Sequence, residues 1–279
     1  MIPCISQVTT LSTPFEADLS PYARAGFEAV EVWLTKLETY LASHSIADAR
    51  STLEAEGLRP LAASTQGGLL VSRGAERLAH WEHFRRRLDW LGELSIPVMV
   101  VAADHHDSPT PDDYRLCVDS IAEAAEVAGA AGVRLALEFQ KGSGLCSCLE
   151  TALALIAESG ATGVGVCLDL FHYYTGPSKF EDLAFLTAEN LAWVQVCDLS
   201  GTPREVAGDS DRIYPGDGDF AIRPIVDHFA AIGYAGGVSL ELLNPSLWSI
   251  PADRVADFGH QALLRTLGDR AGAGSRGGV

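Results

Sequence analysis

Four short apolar runs in the second half of the chain each lead into an oxygen-bearing side chain. Residues 134–137 run into Glu138, 164–168 into Asp169, 191–194 into Gln195 and 237–240 into Glu241. A carboxylate at the end of a buried strand is costly unless something pairs it. Such residues on successive strands would crowd like charge without a counter-ion, so one divalent cation shared by all four is the expectation. Two Glu, one Asp and one Gln offer only oxygen, the Gln through its amide carbonyl. Oxygen sites suit Mn²⁺ or Mg²⁺. Taken alone, any one of the four could instead cap the helix that follows it. Three carboxylates on a divalent ion leave one negative charge, which favours a neutral substrate rich in hydroxyl and carbonyl groups.

The elements that must position these residues follow from the pattern around them. Each run is short, aliphatic and preceded by a helical segment, as buried parallel strands are. Taken in order, the chain reads as eight rounds of strand then helix. Strands are expected at 2–7, 29–33, 61–64 and 97–101, then at the four runs above. Helices are expected at 15–25, 46–56, 74–94, 114–131, 149–158, 180–187, 222–232 and 254–267, several of them stopped by glycine. On 74–94, Leu78, Trp81, Phe84, Leu88 and Leu91 recur at three- and four-residue spacing and predict one apolar face. Eight repeats of about 30 residues predict an α/β fold, the (β/α)8 TIM barrel, as a single domain over 1–268. The Gly-, Ala-, Ser- and Arg-rich stretch 269–279 reads as a disordered tail. A doubly wound open sheet would place a glycine-rich turn after its first strand, and residues 8–14 contain no glycine. Barrel enzymes work at the C-terminal ends of their strands, where all four oxygen-bearing residues fall.

Composition narrows the partners. The 279 residues are 47% apolar and carry a net charge of −17, with only three lysines. Such a surface repels nucleic acid and anionic membranes. No run approaches the roughly 20 apolar residues of a membrane span, and the opening Met1-Ile2-Pro3-Cys4 lacks the pattern of a signal peptide. Six cysteines are dispersed without a Cys-x-x-Cys pair, several inside expected strands where they act as small hydrophobes. A reducing cytoplasm is the expected location. A homo-oligomer is compatible with this composition.

The four strand ends, with Asp169-Leu170-Phe171-His172 and the stretch from Asp211 to Gly218, resemble the xylose isomerase-like TIM-barrel superfamily over roughly residues 1–265. Sugar isomerases, ketose 3-epimerases, inosose dehydratases and 3-dehydroshikimate dehydratases belong to it, with endonuclease IV as a relative. The epimerases usually carry His-x-x-Asp on strand seven. Here the matching text is Gln195-Val196-Cys197-Asp198, similar to 3-dehydroshikimate dehydratases. The several histidines of the endonuclease branch are missing. By this resemblance Glu138 and Glu241 flank the substrate as ligands and proton carriers. His172 binds substrate or donates a proton, and Arg212 lies over the substrate's oxygens.

A carboxylate beside a polarised carbonyl can remove the neighbouring proton. Returning that proton to the next carbon is isomerisation, and returning it to the other face is epimerisation. Losing a β-hydroxyl instead is dehydration. A metal-dependent isomerase or epimerase acting on a sugar or keto-polyol is therefore the leading expectation, with a lyase as the alternative and a non-catalytic sugar-binding barrel as the third. Among further candidates, Lys36 is placed in a loop after the second strand, where it could pair with Glu31 or reach substrate. Gln66, in the glycine-flanked loop after strand three, is a further substrate-binding candidate. His105 and His106 suggest a weaker second metal site. Gly216 and Gly218 read as turn formers.

Overall fold

The structure is a computed structural model that describes residues 1–104 and 108–272. His105 and His106 lie outside the described residues, as does 273–279. Eight strands hydrogen-bond in the order β1 to β8 and close on themselves. They are β1 Ile2–Ser6, β2 Ala29–Trp33, β3 Arg59–Gln66, β4 Val98–Ala102, β5 Arg134–Glu138, β6 Val164–Asp169, β7 Leu191–Val196 and β8 Gly237–Leu240. The expected (β/α)8 barrel is the fold.

The chain divides into two compact units, one of 1–61 with 194–279 and one of 62–193, with both boundaries inside strands. In the first unit β1 pairs in parallel with β2 and β8, and β7 pairs with β8. Ile5, Val30, Val32, Val238 and Leu240 fill its interior. Around them lie α1 Phe15–Ala25, α2 Leu34–Leu41, α3 Ile46–Ala55, α8 Ile222–Ala231, α9 Pro245–Trp248 and α10 Ala252–Leu267. In the second unit β4, β5 and β6 pair in register, Ala102 opposite Glu138 and Glu138 opposite Cys167. Met99, Val100, Leu135, Leu137 and Val166 are buried there. Its helices are α4 Gly74–Leu94, α5 Pro111–Ala130, α6 Leu149–Ser159 and α7 Leu170–Thr175. All six cysteines are free thiols, and all but the half-buried Cys148 are buried.

Several expectations need correction. Lys36 is not in a loop, because α2 begins directly after β2. Gln66 is the last residue of β3 rather than part of the loop beyond it. A short helix, α7, follows Asp169 at once, and residues 180–185 form a 3-10 turn instead of an α-helix. Leu78 is 74% exposed. At 100° per residue it points about 100° away from the mean direction of Trp81, Phe84, Leu88 and Leu91. Residues 268–270 form a 3-10 turn, and Met1 donates its amino N–H to the Arg270 carbonyl at 3.1 Å. No helix among the described residues is long and apolar enough to cross a membrane.

Candidate active site

Two clusters of buried polar side chains stand at the C-terminal strand ends, one in each unit. In the unit of 62–193, Glu138 closes β5 and Asp169 closes β6. Asp169 Oδ1 accepts the backbone N–H of Phe171 at 2.8 Å and so caps α7. That cap turns the chain so that His172, on the first turn of α7, comes back over both carboxylates. Its Nε2 lies 3.7 Å from Glu138 Oε1 and 3.7 Å from Asp169 Oδ2. One donor atom from each of the three lies within 4.8 Å of the others, and all three residues are buried, a spacing that could hold a metal ion. Asp169 thus caps a helix and faces the cluster at once, with a different oxygen for each. The backbone N–H of Lys141 faces His172 Nδ1 in a long contact of 3.5 Å. Gln140 Nε2 donates to Glu138 Oε2 at 3.4 Å.

In the other unit, Gln195 lies one residue before the end of β7 and Glu241 one residue beyond β8. Gln195 Nε2 donates to Glu31 Oε1 and to Glu241 Oε1, both at 2.8 Å. The amide nitrogen, rather than the carbonyl expected as a donor to metal, therefore faces the carboxylates. Arg212 is almost wholly buried. Its Nη1 donates to Glu241 Oε2 at 3.2 Å, while Nε and Nη2 donate to Asp209 Oδ1 at 3.1 and 2.9 Å. Nη1 also approaches Cys197 Sγ at 3.9 Å. The arginine fork thus reaches carboxylates on both sides, an arrangement lysine could not reproduce.

The loop carrying Arg212 is tied down by Asp198, the last residue of the Gln195-Val196-Cys197-Asp198 stretch. This fully buried carboxylate accepts N–H bonds from Leu199, Gly216 and Phe220, each at 2.9 Å. Asp198 and Ile213 also bridge as antiparallel backbone. Gly216 has φ +89°, as a turn former requires, whereas Gly218 passes so near Asp198 Oδ1 and the Leu199 carbonyl that a Cβ would overlap both.

The remaining candidates sit apart from these clusters in their bonding. Lys36 Nζ pairs with Asp18 and donates to the Thr10 carbonyl at 2.8 Å. Its partner is therefore Asp18 rather than Glu31. Thr10 Oγ1 donates to Asp18 Oδ1 at 2.6 Å, completing a buried network. Burial pushes the Asp18 carboxyl up to about 7, against the pull of Lys36, and pushes the Lys36 ammonium down. Gln66 Oε1 accepts from Arg87 Nη1 at 3.1 Å and its Nε2 donates to the Gly67 carbonyl at 2.7 Å. Sequence reasoning named Glu31 only as a possible partner of Lys36, whereas Gln195 donates to it. It missed Asp209, although the three-residue spacing to Arg212 is visible in the text. Nothing in the sequence marked Asp198 as a loop anchor.

Residues 19–266 match the family described as xylose isomerase-like TIM barrel. An inosose isomerase of Halalkalibacterium halodurans is 25% identical over 259 residues, covering 90% of each chain. A 3-dehydroshikimate dehydratase of Pseudomonas aeruginosa is 27% identical over 261 residues, 91% of this chain but 40% of that protein. The crystal structure of IOLI protein with a binding zinc atom aligns at a TM-score of 0.89 and 22% identity, over 96% of this chain and 98% of that one.

Proposed function

The chain belongs to the xylose isomerase-like TIM-barrel family, and from that premise we propose that it is a divalent-metal-dependent isomerase or epimerase of a sugar or keto-polyol. The observation that carries this reading is the pairing of Glu138 and Asp169 under the Nε2 of His172. Relatives named inosose isomerase and 3-dehydroshikimate dehydratase support a carbohydrate-like substrate.

In this proposal Glu138, Asp169, Gln195 and Glu241 hold one ion, Gln195 with its amide turned so that the carbonyl rather than Nε2 faces the carboxylates. The carboxylate oxygens suit Mn²⁺ or Mg²⁺. The zinc of the IOLI protein is the contrasting case. Bound there, such an ion would polarise a substrate carbonyl and ease loss of the adjacent proton. Every other step belongs to side chains. Glu138 or Glu241 takes the proton from carbon, and the other returns it. Arg212 holds Glu241 in place through its Nη1 contact at 3.2 Å. His172, with Nε2 at 3.7 Å from both carboxylates, is placed to exchange a proton with a substrate oxygen.

That last feature favours a second reading, a lyase, in which His172 protonates a departing hydroxyl. Substrate turnover in D₂O separates the two. An isomerase or epimerase gives carbon-bound deuterium without loss of water, and His172→Ala mainly raises KM. A lyase gives an unsaturated product absorbing in the ultraviolet, and His172→Ala lowers kcat by on the order of 10²-fold or more. Neither exchange nor elimination across keto sugars and cyclic keto-polyols, with Mn²⁺ present, would end both readings.

A further inference from the structure

Asp209 has no part in the roles assigned above, yet it carries one edge of the Arg212 guanidinium. It opens a 3-10 turn, Asp209–Asp211, directly before the arginine. The Gly208 N–H donates to Asp211 Oδ2 at 2.9 Å and the Asp211 N–H to the Gly208 carbonyl at 3.0 Å, which closes the turn. Beyond it, the Arg212 N–H donates to the Asp209 carbonyl at 3.3 Å, and Asn244 Nδ2 donates to the Arg212 carbonyl at 3.0 Å. Asp209 and Arg212 are thus joined through backbone and side chain at once.

Burial divides this arm sharply. The side chains of Arg212 and Glu241 are 2% and 5% exposed, whereas that of Asp209 is 49% exposed. A guanidinium out of water needs partners along its edges. Asp209 Oδ1 takes Nε and Nη2 together, while Nη1 reaches Glu241 Oε2. The group is planar and rigid, so fixing two N–H directions at one edge fixes the direction of those on Nη1. Glu241 then has two unlike oxygens. Oε2 is anchored by Arg212, and Oε1 takes the Gln195 amide.

We propose that Asp209 is a positioning residue: by aiming Arg212 it holds Glu241 Oε2 and leaves Oε1 as the working oxygen for the ion or the proton. This rests on the reading of Glu241 as ligand and proton carrier. It adds that a half-exposed loop carboxylate, away from the strand ends, sets the geometry of that group. A mere counter-charge would act through its charge, whereas positioning acts through the acceptor atom at Oδ1.

The test uses the full chain and variants that separate acceptor from charge. Asp209→Ala removes both, and Asp209→Asn keeps Oδ1 but not the charge. Asp209→Ser, whose shorter side chain cannot reach the fork, stands in if the alanine form does not fold. Calorimetry with Mn²⁺ should show binding about tenfold or more weaker in Asp209→Ala and within about threefold of wild type in Asp209→Asn, the scale usual for a residue that orients a metal ligand. Glu205→Ala removes an exposed carboxylate from the same loop and should leave the affinity unchanged. Proton–nitrogen NMR of the metal-free protein reads the arm itself. The arginine Nε–H signal missing from Arg212→Lys should be protected from solvent exchange in wild type and Asp209→Asn and lost in Asp209→Ala. The other arginine signals report that each variant is folded. Wild-type affinity in Asp209→Ala, equal losses in the alanine and asparagine forms, or an equal loss in Glu205→Ala would overturn the proposal. If the wild-type chain binds no Mn²⁺, the metal reading fails and the Nε–H signal decides alone: its persistence in Asp209→Ala overturns the positioning role, and its loss only there upholds it.

Discussion

Asp18 illustrates how far burial can move one group. Its carboxyl has an ordinary value of 3.8 and is pushed up to about 7 in the fold. Between those values the folded chain holds a proton that the unfolded chain releases, so stability should fall as pH rises through that window. Urea unfolding across about pH 4 to 7 should show this decline, and Asp18→Asn should flatten it; a slope unchanged in the variant would place its origin elsewhere. The single-residue readings drawn from the sequence fared unevenly for a physical reason. Glu138 and Asp169 were legible because a carboxylate closing a buried strand is conspicuous. The partners of Lys36 and Gln195 were not, because they lie 18 and 164 residues away in sequence.

At the level of elements, periodicity located the strands and the long helices to within a few residues. Helix α4 matched its expected span, as did β2, β5 and β6. Short helices escaped. Both α2 and α7 start directly at a strand end, leaving no linker to announce them, and a two-turn helix carries too few residues for a clear apolar repeat. The anchored loop after β7 was equally hidden, since its tie is one carboxylate accepting the N–H of its neighbour Leu199 and those of Gly216 and Phe220, 18 and 22 residues on. Gly218 is its tightest point. Gly218→Ala should cost about 1–3 kcal/mol by overpacking against Asp198. Denaturant melts would record it, and an unshifted midpoint would mean that the loop has slack there.

The whole molecule sets a charge problem that its fold does not remove. It carries a net −17 and gathers carboxylates at strand ends, so a divalent cation should stabilise it. At a hundredfold excess over Kd, binding to the folded form alone adds about 2.7 kcal/mol. Thermal melts with Mn²⁺ should shift upward, chelator should reverse the shift, and Glu138→Gln with Asp169→Asn should abolish it. Equal melting with and without the ion would remove the metal from the proposal. At this scale the sequence was most informative, because eight strand–helix repeats leave few alternative topologies. It was least informative about substrate, which depends on side chains that lie far apart in sequence.

The cysteines turn the molecule into its own gauge of opening. A thiol reagent should find Cys148 at once and the other five only as buried sites breathe. Cys197 lies against the Arg212 guanidinium, so its labelling rate clocks the loosening of that one arm of the site. Mass spectrometry of time-quenched samples would then read local motion at the arginine separately from global unfolding, without a dye or an introduced residue.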